Sequence, residues 1–109
     1  MLQIIKNKAD KETLEKAAID LAGYIKVVID IEKEILSAGG TRHVDGEQLL
    51  LKEGSLQENL WGGGFDLETG EIDFDSMINI RPNQNNTSRE VLDGQVRQKM
   101  QEIIEKLLK

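Results

Sequence analysis

From Leu60 to Arg81 the side chains alternate about Thr69-Gly70 so regularly that the segment reads as a β-hairpin. With those two residues as the tight turn, Leu67 faces Ile72, Phe65 faces Phe74, Gly63 faces Ser76 and Trp61 faces Ile78 on one apolar face. The reverse face sets Asp66 against Asp73, Gly64 against Asp75, Gly62 against Met77 and Leu60 against Asn79, and Arg81 continues it. A slip of one residue would exchange the two faces wholesale, so the pattern specifies which side is core. A single hairpin is barely stable alone, and the rest of the chain must supply further strands and helices to cover the apolar side.

Residues 2–6 read as a short strand. Asp10 then occupies an N-cap position with Glu12 in the first turn, and Leu14, Ala17, Ala18, Leu21 and Ala22 follow the i, i+3, i+4, i+7, i+8 series of a helix facing a core, stopped by Gly23. The stripe could run on through Ile25, Val28, Ile29 and Leu36 as one long helix. The β-branched run at 27–29 and the alternation of Ile25, Val27, Ile29 and Ile31 with Lys26 and Asp30 favour a strand over 25–31 instead. A turn at Glu32-Lys33-Glu34 and a returning strand at 35–38 follow, although that turn has no Gly, Asn or Asp of its own. Asp45, with Gln48 three residues on and Val44 placed against Leu49, predicts the N-cap of a two-turn helix that ends near Glu53-Gly54. After Pro82 the run from Asn83 to Arg89 has no periodicity and reads as an exposed loop. A last helix capped by Asp93 aligns Val96, Met100, Ile103, Ile104, Leu107 and Leu108. The expected architecture is one α+β domain over 1–109, two-layered, with three helices on one face of a mixed or antiparallel sheet of about five strands, in the order β-α-β-β-α-β-β-α. The other sheet face is left to solvent or to a second copy in a homodimer.

The chain has no Cys and a single His, which removes disulfides, thiolate chemistry and Cys/His zinc sites. Fourteen basic against twenty acidic residues give a net charge of −6, which disfavours a nucleic-acid partner. No apolar run is long enough to span a membrane, and the start of the chain lacks the apolar core of a signal peptide, so a cytoplasmic location is expected. No cofactor is implied.

The chemistry that remains is carboxylate, amide, imidazole and guanidinium chemistry. His43 beside Asp45 joins an imidazole to a carboxylate, a pair able to act as a general base. Asp73, Asp75, Asn79 and Arg81 share the polar side of the hairpin, where Gly62 and Gly64 leave room for a small molecule and Arg81 could grip an anionic group by two parallel hydrogen bonds. On that reading Arg81→Ala weakens ligand binding by about 2 kcal/mol with little change in melting temperature. Asn83 and its loop add amide donors. The acidic set Asp66, Glu68, Glu71 and Asp73 lacks calcium-loop spacing and reads as turn charges, so no metal site is expected. Gly62-Gly63-Gly64 leads into no helix and is not a phosphate loop.

Four stretches together carry a family resemblance: Gly39-Gly40-Thr41-Arg42-His43-Val44-Asp45, Leu49 to Ser55, Gln57 to Gly62, and Phe74 to Pro82. In these the chain resembles, over nearly its whole length, a family of small bacterial and archaeal proteins known as a domain of unknown function. The family pattern often has Asn where Gly64 stands and Ala where Val44 stands, and the first departure means that a polar role at position 64 does not carry over to this chain. The resemblance implies one domain and brings no reaction with it. Function is therefore read from the residues, as a small binding or interaction domain whose polar hairpin face, with His43 nearby, takes a small anionic or amide-bearing ligand or a partner segment. A hydrolase or lyase with His43 as base, Asp75 or Asp45 orienting it and Arg81 stabilising negative charge is the alternative, and a homo-oligomeric structural role is a third.

Overall fold

The computed structural model describes residues 1–109. It contains β1 (Gln3–Ile5), α1 (Lys11–Ala18), β2 (Tyr24–Asp30), β3 (Ile35–Ala38), α2 (His43–Lys52), β4 (Leu60–Asp66), β5 (Ile72–Asp73) and α3 (Gly94–Leu108). The class is α+β, with the element order read from the sequence. The five strands form one sheet in the order β1-β3-β2-β4-β5, antiparallel at every pair.

The ambiguous stretch after α1 resolves as a strand. Asp10 caps α1 through its side chain, which accepts from the Thr13 amide. A 3-10 turn at Ile19–Leu21 follows, and Ala22 (φ 52°) and Gly23 (φ 106°), both left-handed, redirect the chain into β2. The turn from β2 to β3 works without a glycine because Asp30, the last strand residue, supplies the turn chemistry. Its Oδ1 accepts from the amides of Glu32 and Lys33, both at 2.9 Å, and its Oδ2 accepts from Ser55 Oγ at 2.6 Å.

The helices are divided between the two sheet faces rather than sharing one. Ile25, Val27 and Ile29 of β2 pack with Ala17 and Ala18 of α1 and with Met100, Ile103, Ile104, Leu107 and Leu108 of α3 in the main core. Val28 points the other way, into a smaller core with Leu50 of α2 and Leu60. Gly46 lets α2 lie close on that face, since a Cβ there would meet Ser37 Oγ and Val28. The uninterrupted run Val27-Val28-Ile29 suits a strand buried on both faces, and the face expected to be open is covered there.

Two local boundaries differ from expectation. The helix expected after Asp45 begins three residues earlier, at His43, with Arg42 as N-cap and no side chain capping its first turn. Asp45 lies inside the helix and pairs with Arg42 at 3.0 Å. The β4–β5 hairpin pairs Phe65 with Ile72 and Gly64 with Asp73, offset by two positions from the expected register. The turn is therefore four residues long. The Asp66 carboxylate accepts from the amides of Glu68 and Thr69, the Gly70 amide donates back to the Asp66 carbonyl, and Gly70 sits at φ 79°. An even offset preserves which residues share a face. The strand ends at Asp73, however, and 3-10 turns at Met77–Asn79 and Pro82–Gln84 replace the expected continuation to Arg81.

Candidate functional site

Strand alternation places Tyr24 and Lys26 of β2 and Asp73 of β5 on the sheet face that carries α2. Across that face the start of α2 stands opposite the turn at 76–78, and the gap between them is a cleft of about 620 Å³. Tyr24, Lys26 and Asp73 line it from the sheet, Thr41 to Val44 from the first residues of α2 and the two before them, and Asp75 to Ile78, Arg89 and Glu90 from the other bank. The glycines of β4 are not the vacancy they suggested. A Cβ at Gly62 would meet Ser76 and Ile78, and one at Gly64 would meet the Tyr24 hydroxyl and the Asp73 carboxylate. The protein's own side chains fill that room, and the opening lies beside them.

His43, the first residue of α2, reaches back to the sheet, with Nε2 at 2.7 Å from the Gly63 carbonyl. A carbonyl oxygen only accepts, so Nε2 carries the proton. Nδ1 has no hydrogen-bond partner within the protein and is not sequestered from solvent, and the residue lines the cleft. Burial pushes the His43 pKa below its ordinary 6.5, and nearby Lys26 pushes the same way, against the opposing pull of the Gly63 bond and of Asp73 and Asp75. The ring is neutral at pH 7.

This has a measurable consequence for stability. The unfolded chain takes up a proton at position 43 that the folded chain resists, so stability falls as pH drops through 6.5 and levels off below the folded value. Above 6.5 the group contributes nothing to the pH dependence. Because the chain has one histidine, its NMR titration is unambiguous. A midpoint below 6.5, and a flatter stability profile between pH 6.5 and 5 in His43→Gln, are expected; a midpoint at or above 6.5 contradicts the assignment.

Beside the imidazole, the Tyr24 hydroxyl donates to Asp73 Oδ2 at 2.6 Å. Burial first, and Asp73 second, raise the Tyr24 pKa far above its usual range, so it is a neutral phenol. Asp73 Oδ1 accepts from the Asp75 amide at 3.2 Å, and Asp75 in turn pairs with Arg89 at 3.1 Å. Lys26 enters no ion pair. No three His, Cys, Asp or Glu side chains converge as a metal shell would need.

Of the candidate site residues read from sequence, His43, Asp73 and Asp75 line this cleft, and Asp45, Asn79, Arg81 and Asn83 do not. Asp45 is engaged with Arg42. Asn79 is fully buried: its Oδ1 accepts from the Gly62 amide at 2.8 Å, and its Nδ2 donates to the carbonyls of Gly62, Phe74 and Arg89. Arg81 points inward as well. It donates to the carbonyls of Ile78, Gln57 and Leu60 and to Gln84 Oε1, lies 3.8 Å from buried Glu47 and stacks 4.8 Å from the Trp61 ring centroid. Both are turned in because the chain leaves the strand after Asp73, which ends the alternation that would have kept them on one polar face. Asn83 is exposed in its 3-10 turn, outside the cleft.

Sequence reasoning missed Tyr24 and Lys26, although their shared parity in β2 places them together. It also missed Asn86, which zips the supposedly loose loop: its Nδ2 donates to the carbonyls of Asn79, Ser88 and Glu90, and its Oδ1 accepts from the Leu92 amide.

No curated protein and no solved structure matches the chain. The family described as "Protein of unknown function (DUF5674)" matches residues 3–107. With 105 of its 109 residues inside that match, the chain belongs to this family of unknown function.

Proposed function

We propose that this protein is a small-molecule binding domain and that the cleft between α2 and the 76–78 turn receives a small polar ligand. The observation that carries the reading is His43: it lines the cleft with one nitrogen fixed to the Gly63 carbonyl and the other without a protein partner, near a lysine that enters no ion pair. An acceptor and a cation held in a concave site by packed backbone are the usual means of orienting a ligand. The concavity favours a small molecule over a partner segment or a second copy. A hydrolytic role for His43 with Asp75 and Arg81 has lost its oxyanion stabiliser, because Arg81 spends its donors on main-chain carbonyls elsewhere.

The test is an amide-resolved NMR titration with a mixed pool of small carboxylates, phosphates, amines and amino acids. Shifts are expected to cluster at Tyr24, Lys26, His43 and Asp73. Lys26→Ala should weaken binding by at least about tenfold, the scale of one charge-assisted hydrogen bond, at unchanged melting temperature. Shifts confined to the other depression, beside Trp61, Gln84 and Asp93, or no shifts at all, overturn the reading.

A further inference from the structure

The charges in the cleft are of both signs, although the chain as a whole is acidic. At the sheet floor, Lys26 offers a cation that forms no ion pair with the protein's own carboxylates. Lining the same cleft, His43, through its unprotonated Nδ1, and the Asp73 carboxylate are both acceptors. Asp73 Oδ2 takes one proton, from Tyr24, and its Oδ1 takes a 3.2 Å bond from the Asp75 amide, so each oxygen retains a lone pair. A ligand that was only an anion would satisfy Lys26 and leave these acceptors facing it. A ligand that was only a cation would reverse the mismatch. The cleft also has an apolar side, where Val44 is 38 % and Met77 65 % exposed.

Resting on the binding role above, we infer that the ligand is a zwitterion of the amino-acid or short-peptide class. Its carboxylate meets Lys26, its ammonium donates to Asp73 and His43 Nδ1, and a short aliphatic body lies along Val44 and Met77. The neutral imidazole is the required form, because a protonated ring would repel the ammonium. The ligand is held by ion pairs and hydrogen bonds, with no bond made or broken.

The experiment compares four probes on the wild-type protein by the same NMR titration: L-leucine, N-acetyl-L-leucine, L-leucinamide and the mixed pool. Expected are shifts of the Tyr24, His43 and Asp73 amides with L-leucine, and at least tenfold weaker binding of each singly blocked derivative. Binding of N-acetyl-L-leucine or L-leucinamide as strong as that of L-leucine overturns the zwitterion. So does an L-leucine titration that leaves the cleft unmoved. In either case, cleft shifts produced by the pool keep the binding role standing, and a cleft silent to all four probes removes both.

Discussion

Arg81→Ala is expected to lower the unfolding free energy by about 3 to 5 kcal/mol, the range for removing one partner from a buried charged pair. Arg81 is 7 % exposed, and its guanidinium joins three segments: the carbonyls of Gln57 and Leu60 at the entry to β4, the Ile78 carbonyl in the turn that follows β5, and Gln84 in the next turn. Its loss leaves those carbonyls without their donor and leaves Glu47, 5 % exposed, with only a 3.5 Å contact from Gln57. The Trp61 ring loses its stacked cation as well. Urea denaturation at neutral pH measures the loss. Arg81→Lys should recover only part of it, since one ammonium cannot reproduce a planar fork directed at several acceptors. A loss below about 1 kcal/mol would mean that the side chain is solvated and free, as the reading from sequence required.

What was legible in the chain followed from local periodicity. The stripes of α1 and α3, the alternation of β2 and the apolar face of β4 each repeat over enough residues to identify an element and its buried side. Asp10 and Asp93 announced their helices because the cap lies immediately before the stripe, and both accept from first-turn amides in the structure. Three features were not legible, each for a physical reason. The β4–β5 register depended on which of two turn chemistries prevailed, and the Asp66 carboxylate binding two amides outweighed the Thr69-Gly70 pair. The fate of Asn79 and Arg81 depended on where β5 stopped, which alternation cannot report once the following residues satisfy their backbone through side chains. The cleft itself is non-local: Tyr24, His43 and Asp73 are brought together by the antiparallel pairing of β2 with β4 and of β4 with β5, and by the His43 bond to Gly63. Of the candidate residues, His43, Asp73 and Asp75 reached the site, the first because it starts a helix packed on the sheet and the other two because they sit at the end of β5 and two residues beyond it.

Phe74→Ala is expected to cost about 3 to 5 kcal/mol, as a truncation of a buried aromatic. Phe74 is 8 % exposed and belongs to the main core with Phe65, Val91 and Met100, and the Arg97 guanidinium lies 4.5 Å from its ring centroid. The residue kept its place in the core despite the altered register because an offset of two leaves parity unchanged. For a domain of this size the loss is a large share of a total stability of about 5 to 15 kcal/mol. Phe74 is also the hinge between core and cleft. Its carbonyl accepts from the Val91 amide at 3.1 Å and from Asn79, while its neighbours Asp73 and Asp75 line the opening. Emptying the space beneath it should therefore let Asp73 drift from Tyr24 and weaken ligand binding together with stability. Phe74→Leu, which refills most of that volume, should cost about 1 kcal/mol and leave the cleft intact. Urea midpoints give the stability of both variants, and the chemical shift of the Tyr24 amide reports the cleft. If the alanine variant lost stability with the Tyr24 and Asp73 resonances unmoved, the core and the site would be mechanically independent, and the floor of the cleft would have to be held by β2 and β4 alone.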